Sequence, residues 1–201
     1  MVMIAEERHH VPLEQIFSQE CERITFDEHS IPELFIQEMK KYGDQNQADK
    51  STITARAHAF NIICKEMVSS SILKRYILGL YGNAEQVYQI QRSFTTQTAL
   101  NSLLQYAFDI NERTPSKFMF NYKNGHVLSP EFRLTYSNQG FIDEKRSVPS
   151  RLTRNIETFI GPFLLKGVFT PAMASAATAI CANEADLEQT LQLLFRDDIV
   201  S

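Results

Sequence analysis

A short stretch of alternating aromatic residues, followed by an Asn-Gly pair, constrains the fold of this 201-residue chain more than any other feature. Aromatic residues occupy every second position from Phe118 to Tyr122, which is the period of a β-strand with one buried face. Asn124-Gly125 follows, and this dipeptide favours a two-residue turn because both of its residues tolerate a positive φ. We therefore predict a β-hairpin whose second strand begins at His126.

Most of the remaining chain has the hydrophobic spacing of helices. We predict helices over 11–22, 31–41, 51–67, 71–79, 83–110, 155–160 and 170–181 and from 186 onwards, and a loop over 43–50. The fold class is therefore mostly α with a small β-hairpin.

Three helices carry more specific expectations. The helix over 51–67 should bury a face that includes Ile53 and Phe60. The second half of the helix that ends at Ile110 should be nearly buried, since apolar residues recur along it. The Ala-rich helix that begins at Thr170 should pack inside the fold, because small side chains let helices approach closely.

Composition excludes several classes of function. The chain is 43% hydrophobic with a net charge of -4 and no polybasic run, which indicates one globular domain without direct nucleic-acid binding. No apolar run approaches the ~20 residues of a membrane span. Residues 1–10 are expected to be disordered or a linker. The three cysteines indicate reduced thiols, and Cys64 and Cys181 are expected to be buried on apolar faces of predicted helices. No His, Cys or carboxylate spacing indicates a metal site.

The hairpin and its flanks resemble the catalytic and metal-binding segments of the phosphatidylinositol-3-kinase-related kinases. That family has the run G-D-R-H-P-S-N-L-M-L, then a Gly-containing turn, then H-I-D-F-G. An ungapped comparison matches the following residues: Arg113, Pro115, Ser116, Gly125 and Phe132. The segments 148–155 and 195–201 also resemble the family. The resemblance extends over 11–201 and implies the C-lobe of a kinase fold without its N-lobe, as a fragment of a much longer chain.

The differences from the family fall on the residues that carry its chemistry. The replacements are Glu112 for the catalytic Asp, Thr114 for the first His, Lys117 for the metal-binding Asn, Ser129 for the second His, Glu131 for the metal-binding Asp and Arg133 for the Gly. Magnesium requires oxygen ligands in a narrow geometry, whereas Lys117 supplies a cation and Glu131 is one methylene too long. The resemblance therefore implies a pseudokinase with no catalytic, metal-binding or cofactor-binding residues.

Within the family the resemblance is to the TRRAP-type pseudokinases. It implies a noncatalytic scaffold of SAGA-type histone acetyltransferase complexes in the nucleus, which contacts complex subunits and transcription activators through the full-length protein. The polar segments 137–147 and 43–50 are candidate contact surfaces, with plain exposed loops as the alternative, and Arg151 and Arg196 are expected to hold loops. Two alternatives stay open. One is a divergent active kinase with Glu112 as base and Glu131 as magnesium ligand, and the other is a stand-alone helical interaction module.

Overall fold

A computed structural model describes residues 9–24, 27, 30–46, 53–108, 110, 114–129, 152–182, 188, 189 and 192. The elements in chain order are β1 (His10–Pro12), α1 (Leu13–Arg23), α2 (Ile31–Asn46), α3 (Ile53–Ile62) with a π-helical turn (Ile63–Met67), α4 (Ile72–Leu80), α5 (Ala84–Ala107), a 3₁₀ turn (Pro115–Lys117), β2 (Met119–Asn121), β3 (Val127–Leu128), α6 (Arg154–Leu164), a second π-helical turn (Leu165–Phe169) and α7 (Thr170–Ala182). The predicted fold class, mostly helical with a small hairpin, is confirmed.

The three strands form one antiparallel sheet in the order β1-β2-β3. His10 lies opposite Asn121, and Met119 lies opposite both Pro12 and Leu128. Our prediction of a helix from residue 11 was wrong at its first two positions. Pro12 has extended dihedral angles of φ -60° and ψ 143°. A residue with these angles caps a helix and is not part of it, so α1 starts only at Leu13.

The hairpin is present, but its loop differs from the predicted two-residue turn. Asn121 donates its backbone N–H to the His126 carbonyl at 2.8 Å, and Gly125 donates its own to the Asn121 carbonyl at 2.9 Å, so four residues form the loop. Gly125 has a φ of 75°, and a Cβ atom there would lie 2.4 Å from the backbone oxygen of Ile90 in α5. The loop geometry therefore depends on the close approach of its backbone to α5.

The core is centred on Phe94, which is fully buried in α5. Its ring centroid lies 5.5 Å from that of Phe120 and 5.1 Å from that of Phe159 in α6, and 6.2 Å from that of Phe118. These aromatic contacts join the hairpin, α5 and α6 in one cluster. The other buried members of this cluster are Ile16, Leu73, Ile77, Ile90, Ala99, Ile156, Ile160, Leu164 and Phe169.

Two helices bury faces that differ from our predictions. In α3 the buried residues are Ala55 and Ala59, whereas Ile53 is 87% and Phe60 is 59% exposed. The second half of α5 buries mainly small or polar residues and exposes Leu104 and Tyr106. Small and hydroxyl side chains permit closer helix approach than branched apolar ones, so apolar spacing alone does not identify the packed face here.

Three further predictions about the helices were wrong. No residue of α7 is buried, although Ala172 and Met173 pack partly against the core. The helix α2 continues through Gly43 to Asn46, where we predicted a loop, and residues 47–50 lie outside the described residues. Cys181 is exposed and Cys64 is half-buried. Ala-rich and polar segments have little amphipathic contrast, which explains why their burial is poorly predicted by sequence pattern.

The helical run Arg154–Ala182 is 29 residues long and is apolar enough to cross a membrane by length and composition alone. Only 11% of its most apolar stretch is buried. We had expected no such run. A single such helix is weak evidence for a membrane span, and Ile156 and Phe159 at its start belong to the buried core. Gly161, with φ 74° and ψ 162°, also interrupts its helical geometry.

We expect Phe94→Ala to lower the free energy of unfolding by about 3–5 kcal/mol, because it removes the ring shared by the hairpin and α6. Urea denaturation of the 201-residue chain, followed by circular dichroism, measures this change. Phe163→Ala is the matched control, since Phe163 is 91% exposed, and it should change stability by less than about 0.5 kcal/mol. Equal losses in the two variants would contradict the proposed core.

We expect Gly125→Ala to destabilise the chain by about 2 kcal/mol or more, because alanine would be strained at positive φ and would clash with the α5 backbone. In contrast, Gly79→Ala should stabilise it by about 0.5–1 kcal/mol, since Gly79 lies within α4 and a Cβ atom there meets nothing within 4 Å. Melting temperatures that shift in the same direction for both variants would refute this account of the loop.

Candidate functional site

The hairpin and the 3₁₀ turn before it form the part of the predicted site that the structure describes. Thr114 and Lys117 lie at the two ends of this turn, and Ser129 follows β3 on the other side of the hairpin. The remaining predicted positions lie outside the described residues and are Glu112, Arg113, Glu131, Phe132 and Arg133. The structure thus gives the frame of the site and three of its substituted positions.

The 3₁₀ turn is held by local and tertiary hydrogen bonds. The Thr114 carbonyl accepts from the Lys117 N–H at 3.1 Å, and the Thr114 and Ser116 hydroxyls are 2.9 Å apart. Pro115 occupies the first position of the turn, where its restricted φ is favourable. The Phe118 carbonyl accepts from the backbone N–H of Leu13 at 3.0 Å. The start of α1 therefore positions the end of the turn.

Lys117 is half-buried at the end of the 3₁₀ turn. An ammonium group offers only hydrogen-bond donors, so Lys117 cannot supply an oxygen ligand to magnesium. Among the residues that the structure describes, no group of three or more His, Cys, Asp and Glu side chains could hold a metal ion.

Ser129 is held by the central helix. Its hydroxyl oxygen accepts a hydrogen bond from the side-chain amide of Asn101 in α5 at 2.9 Å, and the serine side chain is half-buried. The same helix thus contacts both ends of the hairpin, through Asn101 here and through Ile90 at Gly125. Ser129, the position after β3, is therefore held in place by Asn101 of α5.

A group of aromatic residues beside the hairpin loop was not predicted. The Tyr81 hydroxyl donates to the Tyr122 carbonyl, and Nδ1 of His9 lies 3.1 Å from the Tyr122 hydroxyl. Burial raises the pKa of Tyr81, and the neighbouring Tyr122 raises it further, so its hydroxyl stays protonated as a donor at neutral pH. These residues are far apart in sequence and show no shared spacing, so no sequence signal could have grouped them.

The segment that resembles the family after the hairpin anchors two helices through Arg154 and Asn155. Arg154 donates from Nη1 to the Cys64 carbonyl at 2.6 Å and from Nη2 to the Val68 carbonyl at 3.2 Å. The Asn155 side chain accepts from the Ile72 N–H at 2.9 Å. We had expected this loop-holding role for Arg151, which lies outside the described residues. The sequence signal available for Arg154 was that it lies in the segment 148–155, which resembles the family.

A cavity of about 490 Å³ lies between α1, α4, the start of α6 and Pro115. Its lining is mostly apolar, and Glu14 is its one charged residue among those that the structure describes. Nucleotide phosphates are usually held by Lys, Arg, magnesium or glycine-rich backbone N–H groups. The lining of this cavity supplies none of the cationic side chains, so its chemistry favours apolar groups over phosphates.

Known proteins resemble this chain over its whole length and not only in the hairpin motifs. The family model described as "Phosphatidylinositol 3- and 4-kinase" matches residues 1–201. The "SAGA complex/NuA4 acetyltransferase complex subunit Tra1" of Schizosaccharomyces pombe is 28% identical over 94% of this chain, and this region is 6% of that protein. The "Transformation/transcription domain-associated protein" of Homo sapiens is 25% identical over 100% of this chain and 5% of its own length.

A more distant relative carries a kinase name. The "Serine/threonine-protein kinase tel1" of Schizosaccharomyces pombe is 20% identical over 74% of this chain and 5% of its own length. The chain thus spans only about a twentieth of the length of these relatives. Because the family model covers every residue, the chain belongs to the phosphatidylinositol 3- and 4-kinase family, and its expected resemblance to the TRRAP-type members is confirmed.

Proposed function

We propose that this chain is a noncatalytic scaffold segment of a histone acetyltransferase complex, in which residues 11–201 form a degenerate kinase C-lobe within a longer protein. The similarity over nearly the whole chain to a protein named as a subunit of the SAGA and NuA4 complexes carries this proposal. In such a segment the kinase fold is retained as a packed structural unit. Function then depends on surfaces that contact other subunits.

The chemistry of the hairpin supports a role without phosphoryl transfer. Kinase catalysis depends on positioning and on magnesium ions that neutralise the phosphates. Lys117 adds a positive charge where such a metal would be held, and a cation repels magnesium. Glu112 and Glu131 are carboxylates at the family's acidic positions but are longer than aspartate. A scaffold requires none of these groups.

The proposal extends to partners and location. We expect contacts with other subunits of an acetyltransferase complex and with transcription activators, and a nuclear location, as for proteins that act on chromatin. The segment 137–147 is a candidate contact surface because it is polar and contains Gly140. Neither nucleic acid nor a membrane is proposed as a direct partner.

A divergent active kinase is the second candidate. Its support is the similarity to a protein named as a serine/threonine kinase and the presence of carboxylates at Glu112 and Glu131. Glu112 would act as the base and Glu131 as a magnesium ligand. Lys117 disfavours this candidate, because a second metal-ligand position would be cationic.

We expect acetyltransferase activity to copurify with the endogenous protein. An antibody to a peptide of residues 1–10, which lie outside the candidate contact surfaces, would be used on a native nuclear extract, with histone acetylation measured in the precipitate. A peptide-blocked antibody is the control. An immunoprecipitate that contains the protein but no acetyltransferase activity would contradict the scaffold proposal.

We expect the full-length protein to show no magnesium-dependent ATP hydrolysis above that of its Glu131→Ala variant, because the metal site is not formed. Phosphate release would be measured with and without excess EDTA. Hydrolysis that requires magnesium and is abolished by Glu131→Ala would instead establish the active-kinase candidate.

A further inference from the structure

The cavity of about 490 Å³ between α1, α4 and the start of α6 has no role in the proposed scaffold function. Its volume falls within the range of about 300–1,000 Å³ that is typical of ligand pockets. The residues around its opening are accessible from solvent, since Glu14 of α1 and Pro115 of the 3₁₀ turn are both exposed. A ligand can therefore enter this cavity, and the chemistry of its lining indicates which class of ligand fits.

The accessible walls of the cavity are apolar. Leu13 and Phe17 lie one turn apart on the same face of α1 and are half-buried, and Pro115 faces them from the 3₁₀ turn. Beneath them Ile16 and Ile156 are fully buried members of the core, so the walls rest on a packed support. Removing such surface from water together with an apolar side chain of a ligand is favourable. The walls are therefore suited to one bulky apolar side chain.

Glu14 gives the opening of the cavity a negative charge. It is the one charged residue of the lining that the structure describes. The described residues provide no ion-pair partner for it, because their ion pairs join Arg23 to Glu20 and Lys41 to Glu38. A carboxylate beside apolar surface repels anionic ligands and attracts a cation. The charge therefore favours a ligand that carries a cation next to its apolar group.

Asn155 supplies a hydrogen-bond donor to the same cavity. Its Oδ1 atom accepts from the backbone N–H of Ile72 at 2.9 Å, which fixes the orientation of the amide because only its oxygen can accept from an N–H group. The Nδ2 group of this half-buried side chain remains a donor. Every peptide unit of a polypeptide offers a carbonyl acceptor. Apolar walls, a carboxylate and an amide donor together match a peptide segment.

We propose that this cavity binds a segment of a partner protein in which a bulky apolar residue is followed by arginine or lysine. The apolar side chain packs on Leu13, Phe17 and Pro115, the cation pairs with Glu14, and the carbonyl between them accepts from Nδ2 of Asn155. The inference goes beyond the proposed scaffold function and does not rest on it. Its test uses this chain alone, so its failure would leave the acetyltransferase experiment unaffected.

The test uses the 201-residue chain with ¹³C-labelled leucine methyl groups and ¹⁵N-labelled asparagine side chains. The probe is N-acetyl-glycyl-phenylalanyl-arginyl-glycine amide. We expect it to shift the methyl signals of Leu13 and the side-chain amide signals of Asn155. The methyl signals of Leu78, which is exposed and lies outside the cavity, should stay unchanged.

Two control peptides separate the apolar contact from the charge. Citrulline in place of arginine keeps the shape without the charge and should raise the Kd about two- to fivefold, since an exposed ion pair is weak. Alanine in place of phenylalanine should raise the Kd about tenfold or more, because most of the buried apolar surface is lost. Equal binding of the three peptides, or shifts that spare both Leu13 and Asn155, would overturn the proposal.

Two variants of the chain test the role of Glu14. Glu14→Gln should abolish the difference in Kd between the arginine and citrulline peptides. Glu22→Gln makes the same change of charge at an exposed position of α1 outside the cavity and should preserve that difference. The same outcome in both variants would contradict the assignment of Glu14.

Sedimentation equilibrium tests a rival occupant. A second copy of this chain offers Phe163, which is 91% exposed, and the exposed Lys166 three residues later. We expect the chain to be monomeric at the concentrations of the peptide titration. Dimers that are lost in both Glu14→Gln and Phe163→Ala would show that a second copy fills the cavity, and they would overturn the proposal.

Discussion

The packing of Phe94 against Phe118, Phe120 and Phe159 is the interaction on which the rest of this structure depends. A two-stranded hairpin in isolation is marginally stable in water. Here Phe118 and Phe120 of the hairpin pack on the ring of Phe94 in α5, and Phe159 of α6 packs on the same ring. The strand β1 pairs with the other side of β2. This pairing places the first residue of α1, Leu13, against the Phe118 carbonyl at the end of the 3₁₀ turn.

The backbone of the candidate site is therefore held mainly by contacts outside its substituted positions, and Ser129 is the one substituted position that takes part in them. Leu13 bonds the Phe118 carbonyl, Gly125 meets the backbone of α5, and Asn101 bonds Ser129. None of these contacts needs an aspartate or asparagine at a catalytic position. The fold therefore does not depend on a metal ligand at positions such as Lys117. Because these contacts do not require catalytic side chains, the fold can serve the proposed scaffold role without them.

Local sequence patterns predicted the hairpin, the helical class and the continuous α5, because alternation and helical spacing act over a few residues. They missed β1, since its pairing with β2 joins residues more than a hundred positions apart. They also misplaced the buried face of α3 and predicted too much burial for α7, where alanine and other small residues carry little directional information. At the site, the roles that the motif comparison gives Lys117 and Ser129 stay predictions, whereas Arg154, Asn101 and Tyr81 act through tertiary hydrogen bonds that no spacing reveals.

We propose that the hairpin retains a kinase frame without a metal site, and titration with Mn²⁺ would detect such a site if it were present. Manganese binds the oxygen ligands that magnesium uses and broadens nearby amide signals in ¹⁵N spectra of the chain. We expect the amide signals of residues 117–119 and 127–129 to broaden no more than those of α2, whose Glu33 and Glu38 carboxylates can bind Mn²⁺ weakly. Saturable broadening confined to the hairpin amides, and lost in Glu131→Ala, would contradict it.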